Sequence, residues 1–217
     1  MRVELSLELL KQEAKIFSQS ETERWEPRLF GITDGKAIGT YFEHKFLNHL
    51  RAQYYWEEGS SAKGIDFPNL MVDVKVTSIK QPQSSCPFKS ARQKIYGLGY
   101  SLLIFVYDKE DDVARKLGRL KILHTIFVQE DRTGDYQTTV GIRQILENQG
   151  NLDDIVAFLE DRFLPTNEIE RQSIAEEIVA HPPNVRYLTI SNALQWRLQY
   201  RRVIETAGEV DGIVKVW

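Results

Sequence analysis

One cysteine, Cys86, stands among the 217 residues, so no internal disulfide can form and a reducing, soluble compartment is expected. No amino-terminal signal pattern is present, and the longest apolar run, residues 102–107, is far too short to span a bilayer. The sequence also lacks a Gly-rich phosphate loop, a Cys/His cluster and an internal repeat, which sets aside nucleotide-loop, zinc-module and solenoid readings. An excess of basic charge is missing too. Against 28 Lys and Arg stand 31 Asp and Glu, and the resulting net charge of −3 does not by itself point to a nucleic-acid partner.

The distribution of that charge says more than its sum. Residues 74–107 hold no Asp or Glu, while Lys75, Lys80, Lys89, Arg92 and Lys94 give the stretch a charge of +5. A gap of this kind in an acidic chain is what phosphate contacts favour, although a buried strand at 102–107 accounts for part of it. With 42% hydrophobic residues the chain can bury a substantial core, and the pattern reads as residues 1–135 forming a core with a mainly helical region at 136–217.

Immediately before and inside the acid-free stretch, charges sit in what otherwise reads as strand. Val72, Val74 and Val76 alternate with Met71, Asp73, Lys75 and Thr77, the period of a strand with one buried face, so Asp73 and Lys75 point the same way. Asp66 precedes Asp73 by way of a turn containing Pro68 and Asn69, and a tight bend there brings the two carboxylates together. Two carboxylates and an ammonium suit phosphodiester hydrolysis: a hard divalent ion such as magnesium takes oxygen ligands from one or two carboxylates, and the lysine holds water or phosphate. The plainer reading of an Asp-x-Lys pair is a solvated ion pair on an exposed sheet face.

The order of an acid on a helix, then Asp66, then Asp73-Val74-Lys75 on a strand resembles the PD-(D/E)xK nuclease superfamily. More narrowly, Asp66-Phe67-Pro68-Asn69-Leu70 followed by Asp73 and Lys75 is similar to the MutH mismatch-repair nicking endonuclease and related type II restriction enzymes. The likeness covers residues 35–107. It implies an α/β (α+β) restriction endonuclease-like fold, a mixed β-sheet flanked by helices, and magnesium-dependent cleavage of double-stranded DNA in the cytoplasm of a prokaryotic cell, at the nucleoid while acting. Asp66 and Asp73 would then be metal ligands, Lys75 the catalytic lysine and Glu43 the supporting acid from a helix, with Glu57 and Glu58 as rivals for that place. Asp73 departs from the resemblance, since the nearest relatives usually carry Glu there. The implied activity is a type II restriction enzyme; a nicking or repair nuclease and a non-cutting DNA-binding module on the same scaffold are the alternatives. A palindromic site cut on both strands calls for a two-fold homodimer, whereas a nicking enzyme can act alone.

Elsewhere the pattern predicts a helix over 3–17, then an ordered loop at 18–31 in which Trp25 packs or, less simply, stacks on a base. A helix capped by Thr33 or Asp34 is expected through Leu50, with Phe42, Phe46 and Leu50 inward and His44 and His49 on the surface. Residues 77–87 read as a polar loop in which Gln81 and Gln83 read base edges and Lys80 or Lys89 touches phosphate. A helix over 89–98 aims Arg92 or Gln93 at the cleft, strands follow at 101–107 and 120–128, and helices at 139–149, 152–163 and 167–180. Ser191 is expected to cap a basic helix through Thr206 carrying Arg197 and Arg201, and with a terminal strand at 212–217 it could make a winged DNA-gripping unit or pack on the sheet.

Overall fold

The computed structural model describes every residue except 1, 58, 60–63, 87–88 and 192–195, and the chain divides into two compact units. The first comprises Met1–Ser84, Ser101–Val128 and Thr206–Trp217; the second comprises Ser85–Tyr100 and Gln129–Glu205.

Two helices and a mixed sheet build the first unit. After a two-residue strand β1 (Val3–Glu4), α1 (Leu7–Thr22) starts where Ser6 accepts the Leu9 N–H, and it buries Leu10, Ala14 and Phe17 at helical spacing. Helix α2 (Gly35–Arg51) is capped by Asp34, which accepts from Lys36 and Ala37, and it buries Ile38, Phe42, Phe46 and Leu50. Between them β2 (Trp25–Glu26) occupies part of the expected loop, and β3 (Tyr54–Tyr55) pairs parallel with β1. The long hairpin of β6 (Ser101–Asp112) and β7 (Leu117–Val128) forms the centre of the sheet. At one edge β4 (Val72–Ser78) runs parallel to β6; at the other β10 (Ile213–Lys215) pairs antiparallel with β7. The terminal strand is therefore part of the core sheet and not of a wing.

Aromatic packing fastens the helices to the sheet. Phe17, Phe42, Phe46 and Phe105 lie with ring centroids 5.0–5.3 Å apart in successive contacts, at edge-on or tilted angles. Ring pairs of this geometry stabilise by about 0.5–1.5 kcal/mol each beyond the area they bury. Trp25 carries the guanidinium groups of Arg115 and Arg119 at 4.9 and 4.7 Å from its ring centroid, so it serves packing. His49 is not a plain surface residue: its Nε2 lies 2.7 Å from the buried carboxylate of Glu13, which also accepts the Tyr54 hydroxyl.

In the second unit the short α3 (Arg92–Tyr96) is followed by α4 (Tyr136–Glu147), α5 (Leu152–Asp161) and α6 (Glu168–Ala180), close to the predicted spans. Asp135, Asn151 and Asn167 cap the last three. Ile95, Ile142, Ile155, Leu159, Ile174 and Ile178 form their common core. A small sheet orders β5 (Gln83–Cys86), β9 (Trp196–Gln199) and β8 (Thr189–Ile190). Two expectations fail here. Residues 83–86 are strand with Cys86 buried, and the basic helix is replaced by β9 and a short α7 (Arg201–Thr206), the expected first turn at 192–195 lying outside the described residues. Trp196, Leu198 and Tyr200 are buried while Arg197 and Gln199 are exposed, a period of two that no helix has. No helix among the described residues is long and apolar enough to cross a membrane.

Candidate active site

A turn of six residues brings the charges of the first unit together. Phe67 and Val72 exchange both backbone hydrogen bonds, 3.0 and 3.2 Å, across a 3₁₀ turn at Pro68–Leu70. Pro68 sits at the start of that turn, where its missing N–H costs nothing. Met71 closes it in the left-handed region, at φ 52 and ψ 47, and passes the chain into β4. Asp66 thereby doubles back on the strand, and its Oδ2 accepts the Val74 N–H at 2.8 Å. A backbone donor of an edge strand is satisfied by a side chain in place of a neighbouring strand.

Asp73 follows at the start of β4 and is only 4% exposed, as deep as the valines on either side of it. The strand is thus buried on both faces there, not on one as the alternation alone predicts. Lys75 Nζ stands 2.5 Å from the buried Asp73 Oδ2 as an ion pair. Burial is the main force on the Asp73 carboxyl and pushes it up to about 7; the lysine opposes this, and the neighbouring Asp66 charge adds to it. Glu43 on α2 feels the same cluster. Its carboxyl is raised first by burial and then by Asp66, with Lys75 and His44 acting the other way.

Asp66, Asp73, Lys75 and Glu43 therefore lie within one another's electrostatic reach. Helix α2 approaches β4 closely enough that a Cβ on Gly39 would stand 3.9 Å from the Val76 carbonyl, which is how Glu43 arrives at the strand. Glu57 instead lines a neighbouring cavity with Glu4, Leu5, Trp56, Phe67, Asn69 and Leu70, and Glu58 lies outside the described residues. Among the described residues no three His, Cys, Asp or Glu side chains converge as a metal cage. Two carboxylates, one of them buried beside an ammonium, nonetheless fit a hard divalent ion that keeps most of its waters.

The other predicted contacts divide by unit. Lys80 and Gln81 are exposed in the turn after β4, and Gln83 is half-buried on β5. That turn is tied to the strand by Thr77, a buried residue sharing the face of Asp73 and Lys75. In the second unit Lys89, Arg197 and Arg201 are exposed, the latter two on β9 and α7 instead of on one helix. Arg92 is held by acids of α6, with Nε 2.7 Å from Glu177, and Gln93 spends both ends of its amide on Lys89 N–H and the Leu98 carbonyl. Lys94, counted in the basic stretch, is 1% exposed and its ammonium is pulled down by burial, with Asp135 opposing. Alternation at 73, 75 and 77 carried the signal for Thr77; nothing in the sequence marked Lys94 as buried except its place between Ala91 and Ile95, both inward.

Comparison with known proteins identifies a family. The family described as Type II restriction enzyme NspV matches residues 4–215. A Type II restriction enzyme NspV from Nostoc sp. (strain ATCC 29411 / PCC 7524) is 62% identical over 213 residues, covering 98% of this chain and 97% of that protein. No solved structure matches. The chain belongs to the NspV family of type II restriction enzymes.

Proposed function

We propose that the chain cuts double-stranded DNA at a short specific site, using Asp66 and Asp73 to hold a magnesium ion, Lys75 beside the attacking water and Glu43 in support. The observation that carries this reading is the buried Asp73 carboxylate, set beside a second carboxylate and a lysine. A bound divalent ion supplies Lewis acidity and an acidified water.

The residues of the chain do the rest. Asp66 is fixed by the Val74 N–H, so its second oxygen has a defined direction, and the edge position of β4 leaves that side of the strand without a neighbouring strand. Lys75 offers a compact positive charge to the scissile phosphate or the incoming water, and its partner Asp73 keeps it oriented. Glu43 can take a proton from water more readily than an ordinary glutamate, since burial raises its carboxyl. This reading takes the chain as a PD-(D/E)xK nuclease, with Asp73 as the second acid. Lys80 and Gln81 are the exposed candidates for phosphate and base contact beside it.

Incubation with unmethylated plasmid and phage DNA, with magnesium or with EDTA, tests the proposal. Discrete bands that need magnesium and vanish in Asp73→Ala and Lys75→Ala are expected, and their ends give the site. Binding without cleavage at any divalent ion would favour a non-cutting module. Gel filtration with and without cleavable-site DNA distinguishes a two-fold dimer from a monomer.

A further inference from the structure

Thr77 has a buried hydroxyl and is not among the residues given a role above. It is 4% exposed, on the strand that carries Asp73 and Lys75 and two residues beyond the lysine, so all three share one face. Its Oγ1 accepts the Gln83 N–H at 2.9 Å and lies 3.1 and 3.3 Å from the carbonyls of Gln83 and Gln81, to one of which it donates. Between these points the chain makes a tight turn, with Gln81 N–H on the Ser78 carbonyl and Gln83 N–H on the Gln81 carbonyl. Lys80 and Gln81 are carried outward on that turn. The start of the turn is pinned to the sheet by Ile79 N–H on the Tyr107 carbonyl at 2.8 Å. Its return is tied to β4 by the threonine hydroxyl.

We infer that Thr77 is a positioning residue that fixes the turn bearing Lys80 and Gln81 at a set distance from Lys75, so that recognition of DNA by the turn places the scissile phosphate at the cleavage site. The inference rests on the reading of this turn as a DNA contact. A threonine serving only to stabilise the fold would have no reason to affect substrate recognition apart from stability. A hydroxyl that holds a recognition turn affects it directly, because a misplaced contact loses both affinity and the ability to reject a wrong base pair.

Steady-state cleavage of a duplex bearing the mapped site, and of one with a single altered base pair, separates these accounts in magnesium buffer. Thr77→Val keeps the shape and removes the hydroxyl. It is expected to raise KM on the correct site by about tenfold, to leave kcat within about threefold, and to narrow the preference over the altered site. Thr77→Ser restores the wild-type values. Lys80→Ala and Gln81→Ala, measured alongside, report on the turn itself. If they weaken KM or discrimination while Thr77→Val does neither, the inference is overturned and the reading of the turn stands. If they change nothing, the turn does not read DNA and the inference falls with it. A Thr77→Val defect confined to kcat, or a Thr77→Ser variant as impaired as the valine, also overturns it. Thr77→Cys, of similar size with a weak donor, replaces the valine if that variant melts below the assay temperature.

Discussion

Asp73 is a carboxylic acid in a position that would suit a valine, and its titration has consequences for stability as well as for cleavage. Its carboxyl titrates near 7 in the folded chain against 3.8 for the ordinary group, chiefly through burial. The folded state thus holds the proton more tightly than the unfolded state does. Its contribution to stability is fully present at low pH and is lost as pH rises through about 7. Asp73→Asn, which cannot ionise, should therefore melt above the wild type at pH 8 in EDTA, by several degrees for about 1–3 kcal/mol, with the gap shrinking toward pH 5. The same variant should not cleave. Thermal melts at the two pH values check this, and a gap that widens toward pH 5 would contradict the assignment. Magnesium should raise the melting temperature of the wild type at pH 8 and leave Asp73→Ala unmoved, because only a chain with both carboxylates gains a ligand on folding.

Turns and strands decide where those side chains go. Met71, at φ 52, is the hinge between the Asp66 turn and β4, and a β-branched residue fits that conformation badly. Met71→Val should lose stability by about 1 kcal/mol or more and cleave poorly through displacement of Asp66, while Met71→Gly stays within about 0.5 kcal/mol of the wild type. Denaturant midpoints read together with cleavage rates test the pair; equal behaviour of the two would remove the hinge from the account. The same scale shows what the sequence disclosed. Asp34 before a run of Phe42, Phe46 and Leu50 announced α2, because a cap and a 3.6 period are local signals, and helical patterning alone announced α5 and α6. The site was legible for a similar reason: Asp66, Asp73 and Lys75 sit on one turn and one strand. Strand β9 was not, since three arginines at 197, 201 and 202 suggested a basic helix face and outweighed the alternation of Trp196, Leu198 and Tyr200. Strand β2 has two residues and exists only through its pairing with Arg119 and Gly118, a contact that no periodicity encodes. The partners that tie up Arg92 lie in α6, more distant in sequence than any pattern reaches.

At the scale of the molecule, the sheet that carries the candidate site is drawn from stretches far apart in the chain. Its β10 strand aligns Ile213 with Val128, and Trp217 exchanges backbone hydrogen bonds with Thr125. Truncation before Gly208 should bare the β7 edge, leave Ile213 out of the core, and yield protein that aggregates or melts well below the full chain. Light scattering and a thermal melt of the shortened chain measure this; a soluble, fully active truncate would refute it. Affinity for DNA should fall as salt rises, as it does wherever lysine and arginine displace counterions, but an overall charge of −3 predicts a background of non-specific binding weaker than that of a basic protein.

The interleaved assembly of the first unit also sets a clock. Because Thr206–Trp217 belong to the same compact unit as Asp66, Asp73 and Lys75, that unit cannot close while residue 217 is still inside the ribosome. A nascent chain emerges at roughly 5–20 residues per second, so Asp66, Asp73 and Lys75 are synthesised several seconds before the sheet around them is complete. Half-made copies of a DNA-cutting enzyme would then lack the sheet that holds the candidate site together.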